Sequence, residues 1–189
     1  MIERGRPDAP TAPDRPRPAV PAPFSELTPM RTTAKVDYAV RAGVALARVA
    51  AAAEALGTRP EPVKARQLAT HEEIPPKFLE SILADMKRAQ IVASRRGAVG
   101  GYRLARPAGA ITVADVIRAV EGPLADVRGE RPETLAYRDE LAALQRMWIA
   151  VRANLRAVLE QTTLADLAAD SLGPDVESLA ASDEAWDPH

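Results

Sequence analysis

Residues 64–106 constrain the fold of this chain most, because they combine two helical patterns, a double proline and a glycine-rich turn in a fixed order. The first pattern runs from about Lys64 to Thr70. Pro75 and Pro76 open the second, a favoured place for proline because the first amides of a helix have no partner within it. The apolar residues of the second pattern recur at three and four positions: Phe78, Leu79, Ile82, Leu83 and Met86. Two such segments joined by a tight turn predict a helix-turn-helix.

Glycines and arginines follow directly, in the stretch SRRGAVGGYRLARP. A nucleotide-binding loop would need a Lys-Ser or Lys-Thr pair after its last glycine, or a strand before the loop and a helix after it. Here Tyr102 and Arg103 follow in a strand-like segment, which disfavours both kinds of nucleotide site. The pattern instead predicts a β-hairpin, in which Gly97, Gly100 and Gly101 permit a tight left-handed backbone and close approach to a phosphate. With the helix-turn-helix this hairpin forms a winged helix, and a solvated arginine-rich turn is the alternative.

Helical patterns also flank this region. Apolar residues between Thr33 and Leu56 predict a first helix of about six turns that stops at Gly57. Its apolar stripe consists of Val36, Val40, Val44, Leu46 and Val49. Capping-box patterns predict the starts of two further helices. The capping pairs are Thr112 with Asp115, and Thr163 with Asp166.

A long helix is predicted from about Glu133 to Gln161. Its apolar residues follow a heptad spacing over three repeats: Tyr137, Leu141, Leu144, Trp148, Val151, Leu155 and Val158. Such a seam is typical of helices that pair with a second copy. The candidate dimerisation residues are therefore Leu141, Leu144, Trp148, Val151 and Leu155. Trp148 is also a candidate to line an effector pocket, but the seam alone explains its spacing, which favours a dimer core.

The two ends of the chain differ in composition from the rest. Residues 1–29 contain eight prolines and no apolar periodicity, which predicts a disordered tail, either a genuine extension or the product of a start upstream of Met30. The segment from Gly173 to the end, residues 173–189, has five acidic residues and no basic one and is expected to be flexible. Between them we expect a winged helix-turn-helix domain over residues 30–122 and a dimerisation helix region over residues 123–172.

Composition narrows the fold class and excludes several functions. Aromatic residues make up 4% of a chain that is 47% hydrophobic, which favours small aliphatic residues between close helices: mostly α with a small β-hairpin. The chain has no cysteine, and neither His71 nor His189 has a second histidine at metal-ligand spacing. No catalytic constellation of carboxylates, nucleophile and base is present, so we expect no enzyme. No apolar run is long enough to cross a bilayer, so we expect no membrane partner and a cytoplasmic location.

Charge is distributed unevenly along the chain. The net charge of −1 by itself disfavours a nucleic-acid partner. However, residues 59–106 carry ten basic and five acidic side chains, whereas residues 107–189 carry seven basic and fifteen acidic ones. The basic surplus therefore coincides with the predicted helix-turn-helix and hairpin, as expected for a DNA-binding surface.

Three stretches over about residues 30–122 carry a family resemblance. They are MRTTAKVDYAVRAGVALA at the first helix, VKARQLATHEEIPPKFLESIL at the helix-turn-helix, and SRRGAVGGYRLARPAGAITVADVIRAVEG through the hairpin and the next helix. Together they resemble the Rrf-two family of bacterial transcription regulators, dimeric winged-helix proteins that include iron-sulfur, nitric-oxide and cysteine-metabolism sensors. The resemblance implies a recognition helix in the major groove and a wing on the backbone or minor groove.

The family pattern also implies which residues contact DNA. They lie near the N-terminus of the recognition helix and in the wing: Lys77, Glu80, Ser81, Arg95, Arg96, Gly97 and Arg103. Side chains at that end of the helix reach base edges, and arginine suits a narrow groove or a phosphate. Phe78 lies beside them, and for this ring packing in the core is favoured over contact with a base.

The best-known sensors of the family hold an iron-sulfur cluster on three cysteines. The corresponding segment here, EGPLADVRGERPETLAYRDE, has none. Asp37 occupies the place of a carboxylate ligand of some members, but one oxygen ligand cannot hold a cluster, and an ion pair with Arg41 one turn later is favoured. The resemblance thus implies a member without a cluster, with no cofactor or metal and with an effector, small molecule or protein, left open.

These observations support one leading hypothesis. It is a dimeric, sequence-specific regulator that binds double-stranded DNA, a repressor reading a palindromic operator with a recognition helix over about 76–89 and a wing over about 95–103. The alternative is a winged-helix protein-protein interaction module that lacks DNA binding. Salt dependence separates the two, because only phosphate contacts make affinity fall steeply with salt.

Overall fold

The computed structural model describes residues 32–97 and 99–187, and its elements confirm a mostly α fold with one small sheet. Short 3₁₀ turns join several of the elements. The helices and strands are, in chain order, α1 (Ala34–Ala55), α2 (Ala65–His71), α3 (Pro76–Arg88), β1 (Val92–Arg95), β2 (Gly101–Leu104), α4 (Val113–Glu121), α5 (Ala142–Gln161), α6 (Leu164–Ala168) and α7 (Pro174–Ala180). The helix-turn-helix is therefore α2 and α3, and the hairpin is β1 and β2.

Helix α1 lies at the centre of the fold and packs against α3, α4, α6 and β2. The Thr33 side chain accepts a hydrogen bond from the Val36 amide at its start, and Gly57 follows its end with φ +65°, as the sequence predicted. The expected valine stripe is only partly right, since Val40, Val44 and Val49 are half-buried. The buried face consists of Val36, Ala39, Ala42, Gly43, Leu46, Ala47 and Ala53. Because alanine and glycine dominate this face, the neighbouring helices can approach α1 closely.

The predicted apolar face of α3 forms the other half of the core. Leu79, Ile82, Leu83 and Met86 are fully buried. They pack with residues of α1, with Ile91 and Val92 at the start of the hairpin, and with Ile111 and Leu164. Burying a side chain of this size contributes about 1.5–3 kcal/mol. The orientation of α3 is thus determined by its packing, which leaves the opposite face exposed.

The hairpin strands pair antiparallel, and a third segment adds to them. Val92 pairs with Leu104 and Arg95 with Gly101. On the other side of β2, the amide and carbonyl of Val63 exchange two hydrogen bonds of 2.8 Å with those of Tyr102. The sequence did not predict this contact, because Val63 lies in the proline-rich loop between α1 and α2. It connects strand β2 to the segment just before the helix-turn-helix.

Both predicted capping boxes are present and lie next to each other. The Thr112 hydroxyl accepts a hydrogen bond from the Asp115 amide at 3.1 Å, and the Asp115 carboxylate accepts one from the Thr112 amide at 3.4 Å. Thr163 and Asp166 repeat this arrangement at α6. The two chain segments form an antiparallel bridge at Thr112 and Thr163. This bridge ties the start of α6, just after α5, to the start of α4.

The long helix begins later than predicted. We expected it from about Glu133, but α5 starts at Ala142, and residues 132–141 form a loop with 3₁₀ turns at Pro132–Thr134 and Asp139–Leu141. Pro132 and Leu135 of this loop are buried. The Gln145 side chain of α5 donates to the carbonyls of Pro132, Glu133 and Leu135. These contacts stabilise the loop against α5 and replace the hydrogen bonds of a continuous helix.

The terminal segments have different outcomes. The predicted disordered tail over residues 1–29 lies outside the described residues. In the acidic segment, the sequence did not predict α7 or the 3₁₀ turn at Asp183–Ala185. The Trp186 indole donates to the Ala180 carbonyl at 2.6 Å and folds the segment back on α7. The flexibility expected for residues 173–189 stays a prediction.

Candidate nucleic-acid interface

The N-terminal half of α3 presents polar residues opposite its buried face. Lys77, Glu80 and Ser81 are all exposed. The helix begins at Pro76, whose ring fixes the first turn without losing a helical hydrogen bond. The aligned peptide dipoles of the helix give this end a partial positive charge, which favours a nearby phosphate. The structure thus places the three predicted recognition residues on one accessible end of one helix.

An ion pair joins α1 to α3 through Lys35 of α1, a residue that the sequence patterns did not indicate. Its ammonium lies 2.8 Å from the Asp85 carboxylate and also donates to the Val120 carbonyl at 2.7 Å. Arg88 pairs with the same carboxylate. The hydrogen bond from Lys35 holds the pKa of Asp85 below its ordinary value, although partial burial acts in the opposite direction. Lys35 therefore links α1, α3 and α4 at the C-terminal half of α3.

The turn between α2 and α3 is held by Arg41 of α1. Arg41 donates to the Glu72 carbonyl, and it pairs with the carboxylates of Glu72 at 3.6 Å and Asp37 at 3.5 Å. The ion pair predicted for Asp37 is therefore confirmed. The guanidinium also lies 5.7 Å from the centroid of the Tyr38 ring. Since Glu72 immediately precedes the turn, these contacts fix the angle at which α3 leaves α2.

Phe78 is not in the core, contrary to the expectation from sequence. It is 38% exposed, and its ring meets that of Tyr38 edge-on with centroids 5.7 Å apart. The apolar spacing misled the prediction because the ring lies at the edge of the buried face of α3. Phe78 therefore stays accessible beside Lys77.

The glycines of the hairpin shape its tip, and only one of them has a left-handed backbone. Gly97 has φ +106°, and the Gly100 amide donates to its carbonyl at 2.9 Å. A Cβ at Gly100 would lie 2.3 Å from the Arg95 carbonyl oxygen, and one at Gly101 would lie 2.5 Å from that of Val63. Gly100 and Gly101 are therefore needed for close contacts within the chain. This differs from the expectation that all three glycines permit a left-handed turn and close approach to a phosphate.

The arginines of the hairpin are exposed. Arg95, Arg96 and Arg103 are all accessible, and Arg103 donates to the Leu104 carbonyl at 3.1 Å. Among the described residues, neither Arg95 nor Arg96 has a carboxylate within ion-pair distance, whereas Arg88, at the end of α3, pairs with Asp85. With Gly97, these positions form a projecting turn with uncompensated positive charge.

The predicted dimerisation residues lie along α5 and at its start. The helix contains no buried residue over its 20 positions. Leu144, Trp148, Val151 and Leu155 are half-buried along one face. Leu141 is 40% exposed and lies at the N-terminal end of α5, outside the helix proper. The first helical seam residue is therefore Leu144.

The side chains of this chain do not fit an iron-sulfur cluster. The sequence has no cysteine, and the described residues contain no group of three or more histidine, aspartate or glutamate side chains placed to hold a metal ion. Asp37, the one carboxylate that the family pattern points to, is paired with Arg41. Since cluster irons need several thiolate ligands, this donor set cannot hold one.

The sequence profile of one family, described as Rrf2, iron-dependent transcriptional regulator, matches residues 32–170. The chain belongs to the Rrf2 family. It is 46% identical over 151 residues to a protein of Mycobacterium tuberculosis named as an HTH-type transcriptional regulator, covering 80% of this chain and 89% of that one. The fold of this Rrf2 protein, a winged helix-turn-helix, is therefore confirmed together with the family.

Two solved structures resemble the chain. The first is CymR, the global cysteine regulator of Bacillus subtilis, with a TM-score of 0.61 and 30% identity over 75% of this chain and 98% of that chain. The second is IscR of T. potens, with a TM-score of 0.58 and 27% identity over 84% of this chain and 98% of that chain. The Rrf2 protein is accordingly a DNA-binding transcription regulator and not an enzyme.

Within the described residues, no helix is both long and apolar enough to span a membrane.

Proposed function

We propose that this Rrf2 protein is a homodimeric repressor that reads a palindromic operator with α3 and the hairpin. The observation that carries the proposal is the pair of exposed polar surfaces that follow each other in the chain. One is the N-terminal end of α3, and the other is the projecting turn at Arg95–Gly97. Both have basic groups without an ion-pair partner among the described residues, as a surface that contacts phosphates requires.

The chemistry of α3 suits base recognition. Ser81 can donate to or accept from a base edge, and Glu80 can accept from the amino group of cytosine. Lys77, in the first turn, adds a charge to the partial positive charge of the helix end, so it suits a phosphate. In the proposed complex, Glu80 and Ser81 contribute sequence selectivity, while Lys77 contributes affinity that is nearly independent of sequence.

The hairpin supplies the second contact. Arg96 and Gly97 lie at the tip, where the glycine removes the side chain that would keep the backbone away from DNA. Arginine is favoured in a narrow minor groove because the negative potential of such a groove is enhanced. Arg95 and Arg103 flank the tip and add charge towards the phosphates. Repression is proposed because a dimer bound across a promoter blocks access to that promoter without contacting any other protein. A DNA partner also supports the proposed cytoplasmic location.

Helix α5 supports the proposed dimer. None of the 20 residues of α5 is buried, and its heptad face from Leu144 to Leu155 is the kind of surface that a second copy covers. A two-fold axis along such a pair repeats α3 and the hairpin symmetrically, which matches a palindromic operator. The dimer also doubles the number of phosphate contacts.

The test compares glutamate at two positions of α5. Trp148→Glu places a charge in the heptad face, whereas Ala153→Glu places one at an exposed position outside it. We expect Trp148→Glu to give monomers by light scattering and to bind the operator far more weakly, because a buried unpaired charge opposes association. Ala153→Glu should stay dimeric.

DNA binding is measured by fluorescence anisotropy with the DNA upstream of the protein's own gene, one half of its palindrome, and an unrelated duplex. Selective binding of two chains per palindrome supports the proposal. Equal binding to all three duplexes, or a dimeric Trp148→Glu protein, would contradict it. Absence of binding to any duplex, together with a stable dimer, would favour a protein-interaction module.

A further inference from the structure

A small pocket lies where α4, α5 and the loop between them meet. Its volume is about 260 Å³, below the range of about 300–1,000 Å³ typical for drug-sized ligands. Arginines dominate its lining: Arg118 of α4, Arg131 of the loop, and Arg152 and Arg156 of α5. No acidic residue lines it among the described residues. The pocket therefore suits a small anion.

Neighbouring carboxylates compensate this charge only in part. Glu160 accepts hydrogen bonds from Arg156 at 3.0 and 3.2 Å and also pairs with Arg118. Both carboxylate oxygens of Glu133 lie within 2.8 Å of one nitrogen of Arg152. Arg131 has no ion-pair partner within the described residues. The hydrogen bonds from Arg156 and Arg118 lower the pKa of Glu160, so this carboxylate is already fully ionised at neutral pH.

Asp115 is a further carboxylate near the pocket, but it is shared with an arginine outside it. Asp115 lies 3.8 Å from Arg118, but it is closer, at 3.2 Å, to Arg106 outside the pocket. The four lining arginines outnumber the two glutamates paired with them by two charges. A dianion would balance these two charges.

Arg152 gives a second, independent indication. Its side chain is 16% exposed, and its Nε is completely buried without an acceptor among the described residues. A buried N–H donor without an acceptor costs about as much as a lost hydrogen bond, so an acceptor is expected beside it. Both glutamate oxygens nearby are already bound to the other end of the same guanidinium. An oxygen of a bound anion would satisfy this donor after a small turn of the side chain, because the nitrogen has almost no accessible surface in this conformation.

We infer that this arginine pocket binds a small ligand that carries a phosphate group, as free phosphate or a small phosphate ester. Guanidinium groups match the oxygens of a phosphate in planar pairs of hydrogen bonds, and four of them converge here. A bound phosphate would link α4, which packs on α1 and α3, with α5. The effect on operator binding rests on the proposed function, but ligand binding itself does not, so it is measured without DNA.

The experiment titrates the full chain with inorganic phosphate, and in parallel with glycerol 3-phosphate, by calorimetry at constant ionic strength set with chloride. Arg131→Gln removes one lining charge at an exposed position that has no ion-pair partner in the described part of the chain, and Arg146→Gln makes the same change on α5 outside the pocket. Loss of one charge-assisted hydrogen bond corresponds to roughly a tenfold change in affinity. We expect about tenfold weaker phosphate binding for Arg131→Gln and wild-type affinity for Arg146→Gln.

The two titrants distinguish the sources of phosphate. Tighter binding of the ester identifies an esterified ligand, and equal or weaker binding identifies free phosphate; either supports the site. Equal binding by all three proteins would show a general effect of phosphate and overturn the inference, as would absence of binding to the wild type. Duplex DNA is titrated as well, since a loss for Arg131→Gln confined to DNA would assign the pocket to the DNA surface instead.

Discussion

Replacing Gly101 by alanine should destabilise the winged-helix fold by disrupting the contact between the hairpin and Val63. The new Cβ would lie 2.5 Å from the Val63 carbonyl oxygen and 2.6 Å from its carbon, whereas ordinary contacts lie at 3.4–4 Å. The two backbones must therefore separate by almost an ångström. That separation breaks both 2.8 Å hydrogen bonds between Val63 and Tyr102. Two hydrogen bonds contribute about 2 kcal/mol, and residual overlap adds about 1 kcal/mol or more, so we expect a loss of roughly 2–4 kcal/mol.

Urea unfolding followed by circular dichroism measures this loss as a lower midpoint at an unchanged slope. Gly173→Ala is the matched control, because a Cβ there meets nothing within 4 Å and its φ of −63° suits alanine. The control should lose no stability. An unchanged midpoint for Gly101→Ala would refute the reasoning, since it would mean that the Val63 contact does not determine where the hairpin lies.

Two further perturbations test contacts that position the recognition helix and α4. Asp85 has a lowered pKa in the folded state, so its contribution to stability is complete above its ordinary pKa of 3.8 and is lost as the pH falls through the lower, folded value. The difference in free energy of unfolding between wild type and Asp85→Asn should therefore be constant at neutral pH and shrink below about pH 4; urea titrations that show a pH-independent difference would contradict the Lys35 contact. Thr112→Ala removes the side-chain half of the α4 capping box and should lower the free energy of unfolding by about 1 kcal/mol in the same assay, whereas a loss below the precision of the assay would show that the cap is not needed.

Local patterns in the sequence predicted most of the fold because the physical cause of each element lies within a few residues. The capping pairs at Thr112 and Thr163, the proline start of α3 and the glycine stop after α1 depend on neighbours in the chain, and the structure shows all of them. The apolar spacing of α3 likewise predicted four fully buried residues. Only Phe78 broke the pattern, because burial at the edge of a helix face depends on what packs there.

Contacts between distant segments were beyond such patterns. The start of α5 depends on Gln145 binding carbonyls ten or more residues earlier, which periodicity cannot show. Val63 joins the hairpin from a proline-rich loop, and Lys35 reaches α3 and α4 from α1. The candidate DNA-contacting residues could be predicted because each is a basic or polar side chain within one short motif. The residues that position them could not, because they come from distant segments of the chain.

The salt dependence of operator binding by wild type and Arg96→Ala tests the central claim most directly. Each lost phosphate contact reduces the slope of log affinity against log salt by about 0.9, so a dimer that loses one contact in each half should change by about two units. Arg146→Ala, an exposed arginine of α5, should keep the wild-type slope. A flat slope for the wild type, or equal slopes for wild type and Arg96→Ala, would contradict the account of a wing that holds DNA through its tip.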